Sequence, residues 1–181
     1  MSALAAGIAA YAAYKANKAA QSLEHIERQR RHAELTPKFH FRVEGLSGTS
    51  KRIWVQLIGP SGLDQLDELT VSIRNNIRDI SANSKGRPNV EDVENQIWGP
   101  YRFQQDITGV VDHGRSVIAP LPLHLGDDCA FILEETPTPI GYVGDSASWP
   151  FRFLPNRLTL LCVRKGYESW TIPVEAPEYL N

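Results

Sequence analysis

The chain is poor in the residue patterns that mark a reaction centre or a covalent scaffold. Only two cysteines occur in 181 residues, Cys129 and Cys162, and neither belongs to a CxxC or Cys/His pattern. A cysteine-ligated metal site is therefore unsupported. Both thiols lie in apolar runs, where cysteine behaves as a small buried hydrophobe; a disulfide or a functional thiol is the alternative. The expected compartment is reducing and cytoplasmic, and no secretory signal is legible at the start.

Catalytic signatures are equally scarce. No G-x-S-x-G elbow is present, and Gly59-Pro60-Ser61-Gly62 lacks the Lys-Ser/Thr and helix that would make it a phosphate loop. The five histidines, His25, His32, His40, His113 and His124, have no metal-ligand spacing. Asp112-His113-Gly114 is the most catalytic-looking triplet, since an aspartate can orient a general base, but it is also an ordinary turn sequence. Acidic groups at Asp64, Asp67 and Glu68, at Glu91, Asp92 and Glu94, and at Asp127 and Asp128 lack the density of a calcium loop. No cofactor is expected, and an enzyme is not; a hydrolase or calcium-dependent binder is the third-ranked reading.

Long hydrophobic runs are missing too. The uncharged stretch over residues 3–14 spans twelve residues, roughly 18 Å of helix against a hydrocarbon core of about 30 Å. Tyr11 and Tyr14 followed by Lys15 and Lys18 nevertheless resemble the edge of an interfacial segment, which keeps the inner face of a membrane as an alternative partner.

What is present divides at Thr36-Pro37. Residues 3–35 hold one glycine, no proline and many strong helix formers, which predicts a helix of about thirty residues. The residue before proline is pushed out of the α region, so the helix ends there. Alternate steps of three and four from Ala5 give Ala9, Ala12, Ala16, Ala19, Leu23, Ile26, Arg30 and Ala33, an apolar seam in which Leu23 and Ile26 carry the discrimination. Such a seam suits self-association or a partner helix, with docking onto the chain's own β domain as the alternative. Glu24 to Arg28 and Glu27 to Arg31 are favourable i,i+4 pairs, and the Arg28 to His32 cluster is a solvated face or a phosphate contact.

From Lys38 the period changes to two. Phe39, Phe41 and Val43 alternate with His40, Arg42 and Glu44; Ile53, Val55 and Leu57 alternate with Trp54, Gln56 and Ile58. A helical turn is expected through Leu63 and Leu66, a strand at 69–74, and a short helix at 90–97. Strands are expected at 101–103, 108–111, 116–118, 121–125, 130–133, 151–154, 158–164 and 169–174. The last two form a hairpin, with Pro173 placing the final strand at an edge. Many short strands without βαβ alternation predict an antiparallel β-sandwich, immunoglobulin-like or C2-like, over residues 37–181, behind a helical domain at 1–36.

Charge follows the same division. Five basic and three acidic side chains give +2 for residues 1–36, leaving -4 for the remainder of a chain whose net charge is -2. A net acidic body disfavours nucleic acid as a partner. Trp98-Gly99-Pro100-Tyr101-Arg102-Phe103 and Trp149-Pro150-Phe151-Arg152-Phe153 echo each other, either as similar sandwich strands or as a paired aromatic-arginine surface.

Three segments carry a resemblance: Arg30-Arg31-His32-Ala33-Glu34-Leu35-Thr36-Pro37, residues 62–74, and Gln96-Ile97-Trp98-Gly99-Pro100-Tyr101-Arg102-Phe103. In these the chain resembles a group of uncharacterised bacterial proteins, mostly actinobacterial, that join a membrane-proximal or coiled-coil helix to a C-terminal β domain. Those proteins carry a longer helix with a proper membrane span; this chain has an abbreviated, alanine-rich version. The resemblance implies no catalytic or binding residue. The reading as a whole is a non-enzymatic interaction module whose helix joins a protein partner or a second copy, with Leu23, Ile26, Arg28, Arg30, Arg31, Trp98 and Tyr101 as candidate interaction residues.

Overall fold

A computed structural model describes residues 3–46, 49–75, 96–105, 108–119, 122–139, 142 and 157–175. The chain falls into two units, residues 1–36 and 37–181.

The first unit is the helix α1, Ala3–Glu34. Alanine and the long unbranched side chains favour it intrinsically, and Arg31 and His32 in its last turn complement the helix dipole. It closes with Leu35 N–H donating to the Arg31 carbonyl at 3.0 Å and Thr36 N–H to Ala33 at 3.2 Å, just before Pro37.

The second unit is built from strands β1 Lys38–Gly45, β2 Lys51–Gly59, β3 Gln65–Leu66, β4 Glu68–Ile73, β5 Tyr101–Phe103, β6 Val110–Val111, β7 Ser116–Ile118, β8 Leu123–His124, β9 Asp128–Glu135, β10 Arg157–Val163 and β11 Trp170–Glu175. One sheet has the order β1-β2-β9-β5 and another β11-β10-β4-β7-β6, while β3 and β8 form a small third pair. Every ladder is antiparallel. This is the β-sandwich that the alternating pattern predicts.

The core follows from strand parity. On the first sheet Ile53, Val55 and Leu57 of β2, Phe131 and Leu133 of β9, and Phe103 of β5 are buried. On the second, Leu69, Val71 and Ile73 of β4 meet Leu158, Leu160 and Cys162 of β10 across the ladder. Each such side chain contributes about 1.5–3 kcal/mol when fully buried. Phe103 and Phe131 pack edge to face, with centroids 6.0 Å apart.

One expected element differs. Leu63 and Leu66 do not form a helical turn; Gln65 and Leu66 pair with His124 and Leu123 as β3 and β8. Both leucines are buried; Leu63 N–H donates to the nearby Pro60 carbonyl at 2.9 Å, while Leu66 pairs with Leu123 of a distant segment. The hairpin joins β10 to β11 as expected, with Pro173 opposite Thr159 on the edge strand. The expected helix at 90–97 has all but its last two residues, Gln96 and Ile97, outside the described residues, and the expected strand at 151–154 and the Trp149 to Phe153 echo lie outside them entirely.

Candidate functional site

On α1 the side chains of the expected seam from Ala16 onward, Ala19, Leu23, Ile26, Arg30 and Ala33 among them, are exposed. Leu23 and Ile26 are 60% and 57% exposed, the highest values for aliphatic side chains among the described residues, with Ile58 next at 54%. Ion pairs flank them. Arg28 meets Glu24 at 2.8 Å, while Glu27 bonds Arg30 at 3.1 Å in place of the expected Arg31. Arg30 also reaches Glu34 at 3.4 Å, so this one guanidinium bridges two carboxylates a helical turn to either side. Arg31 is exposed at the dipole-favoured end of the helix.

Trp98 and Tyr101, in the second unit, are buried. They are 4% and 8% exposed, and Trp98 is fixed by its backbone N–H donating to Asn75 Oδ1 at 2.8 Å. Tyr101 shares the inner face of β5 with Phe103, leaving Arg102 outward against Glu134 at 2.7 Å. Burial, with the nearby Glu135 carboxylate adding to it, pushes the Tyr101 phenol above its ordinary value. The aromatic stripe of this segment is therefore core.

An aromatic-arginine surface does occur, elsewhere. On the outer face of β1 and β2, Arg42 lies opposite Trp54 in register and stacks 5.1 Å from its ring centre, with Arg52 at 5.7 Å. Glu44 pairs with Arg42 at 3.1 Å. The signal for it was the parity of β2, in which Trp54 falls with Gln56 and opposite to Ile53 and Val55.

The candidate reactive groups are held in other work. Asp112 and His113 both have positive φ, 52° and 55°, and close a 3-10 turn in which the Asp112 carbonyl accepts from Arg115 N–H at 3.0 Å. Gly114 follows at φ 88°, where a Cβ would stand 2.5 Å from the Phe103 carbonyl oxygen, so only glycine fits. His113 lines a cavity of about 310 Å³ with Gln96, Ile97, Arg102, Thr136 and Pro137. Its one guanidinium, that of Arg102, is already committed to Glu134.

Asp64 and Asp67 converge on Arg164, at 3.1 and 3.3 Å, and Asp67 accepts from Lys165 N–H at 2.6 Å and from Gln65 Nε2 at 3.0 Å. The Lys165 and Gln65 bonds, with Arg164 beside them, hold the Asp67 carboxyl below its usual range. They tie β3 to the β10-β11 hairpin. Asp127 binds His124 Nδ1 at 3.2 Å. No group of three or more His, Cys, Asp or Glu side chains placed to hold a metal occurs among the described residues.

Cys129 and Cys162 are free and buried on different sheets. Burial pushes both thiols up to about 12, with the Asp128 carboxylate adding to the effect at Cys129. A thiol so protonated is a poor nucleophile. No described helix is long and apolar enough to cross a membrane. No protein-family model matches the chain, and no curated protein is significantly similar to it.

Proposed function

We propose that this protein is a non-enzymatic interaction module, cytoplasmic, in which α1 binds a second copy of the chain or the helix of a protein partner. The observation that carries the reading is the exposure of Leu23 and Ile26 at i,i+3 spacing on a thirty-two-residue helix. A knobs-into-holes partner covers such a pair, and the flanking alanines let the two backbones approach closely. Arg30 lies within the seam and Arg28 beside it, each paired with glutamates of the same helix.

Sedimentation of the full chain and of its L23E/I26E variant tests the reading. The unaltered chain sediments as the larger species, or captures a partner that the variant loses. Equal masses with no captured partner overturn it.

A second reading rests on Tyr11 and Tyr14, both exposed, with the Lys15 ammonium 5.0 Å from the Tyr11 ring centre. That arrangement suits a helix lying on the anionic inner face of a membrane. Flotation with anionic and neutral vesicles separates the two, since a helix-pairing module stays at the bottom with both.

A further inference from the structure

We infer that strand β1 is a second self-pairing surface, on which two copies of the chain join edge to edge, antiparallel, with Phe41 on the two-fold axis. This goes beyond the helix reading and does not depend on it.

Among the described residues the two larger sheets have four edges, and natural proteins blunt such edges with shortness, proline, bulges or repelling charge. β5 is three residues long and β6 two, and β11 carries Pro173. β1 differs in length and in lacking proline, although its ladder with β2 is irregular between Lys38 and Phe39. It runs for eight residues without proline and, among the described residues, its ladder bonds go to β2 alone. Among the described residues no strand pairs with its opposite side, whose backbone donors and acceptors suit another strand.

The apolar face of β1 is also incompletely covered. Phe39, Phe41 and Val43 are half-buried, whereas their neighbours Ile53, Val55 and Leu57 on β2 are fully buried. A further strand beyond β1 supplies the missing cover, provided its own inward residues are apolar. Another β1 meets that condition.

The charges then select the register. Antiparallel pairing about Phe41 sets Lys38 opposite Glu44 of the second copy, twice by symmetry, Phe39 opposite Val43, and Phe41 opposite itself. His40 falls opposite Arg42. Moving the axis to His40 brings Lys38 against Arg42, and moving it to Arg42 places that guanidinium against its own copy; like charges directly opposite are destabilising. Of these three registers only the one about Phe41 pairs opposite charges and keeps both faces matched. The strand is thus self-complementary where an isologous contact requires it.

The test uses the full chain carrying L23E/I26E, which disables the helix surface through exposed residues and leaves the fold intact. Sedimentation equilibrium of this variant still shows a monomer-dimer equilibrium. Adding Glu44→Lys sets Lys38 against a like charge and weakens dimerisation about tenfold or more, since two cross-strand pairs turn from attraction to repulsion. Adding Lys38→Glu to that chain restores it. A monomeric L23E/I26E chain at every concentration, indifference to Glu44→Lys, or failure of the double exchange to restore dimers overturns the β1 assignment. The helix reading fails by a different result: L23E/I26E leaving the mass and partners of the unaltered chain unchanged.

Discussion

Leucine has opposite fates in the two units of this protein. Leu23 of α1 stands in solvent, while Leu160 of β10 and Leu57 of β2 have no exposed surface. The helix is held by local terms, namely alanine propensity and ion pairs each worth about 0.2–0.5 kcal/mol. The sandwich is held by burial between strands far apart in sequence, each aliphatic side chain contributing several times as much. An element stabilised locally can leave its apolar residues free for another chain. The interior of a sandwich cannot, because those buried residues are what keep it folded.

The sharpest way to break the contrast is a pair of truncations. Phe103→Ala is expected to lower the stability of the body by about 3–5 kcal/mol, whereas Leu23→Ala changes it by less than about 0.5 kcal/mol. Urea titration of each variant, followed by tryptophan fluorescence, checks this. Comparable losses would mean that the helix belongs to the cooperative core.

Alkali offers the next largest effect. The Cys129 and Cys162 thiols ionise in the native body only near about 12, well above an unfolded thiol at 9.0. Their contribution is therefore complete below about pH 9 and is lost as pH rises toward 12. Replacing both by alanine should flatten that limb of the pH-stability profile. The same burial leaves both unreactive to a thiol reagent until the body unfolds.

Smaller but local is Gly114→Ala, which forces a side chain into a left-handed conformation against the Phe103 carbonyl. It is expected to lower body stability by about 1–3 kcal/mol. Ala19→Gly in α1, by contrast, should reduce helical ellipticity at a cost of about 1 kcal/mol without moving the body's unfolding midpoint.

The smallest effect lies at acid pH. The folded Asp67 carboxyl ionises below 3.8, so its stabilisation is present above that pH and disappears as pH falls through the lowered value. Asp67→Asn should remove that acid-side dependence, visible as a shallower loss of thermal stability below about pH 4.

Much of this architecture was legible in the residues, and unevenly so. The alanine-rich run and Thr36-Pro37 define α1 because helix bonds are local, and the parity of Phe39 to Val43 and Ile53 to Leu57 defines β1 and β2. Pairing partners were not legible. The β2-β9 ladder and the β3-β8 pair join segments whose backbones hydrogen-bond alike with any strand, and packing alone chooses among them. Leu63 and Leu66 read as a helical turn because their spacing fits one, and the distant His124 strand overrode it. Trp98 and Tyr101 read as candidate anchors because aromatics beside arginine suit interfaces, yet the parity of β5 turns Tyr101 inward with Phe103. On the candidate site, Leu23 and Ile26 were evident from the seam. The Arg42-Trp54-Arg52 stack needed the β1-β2 register, which no single segment carries.

Hydrogen exchange of the full chain at low and high concentration tests most directly whether α1 is a joining element and the sandwich interior is self-sufficient. Protection of the α1 amides around Leu23 and Ile26 is expected to rise with concentration, while that of Leu158, Leu160 and Cys162 in β10 stays constant. Protection in α1 that does not change with concentration or with an added partner would contradict the account.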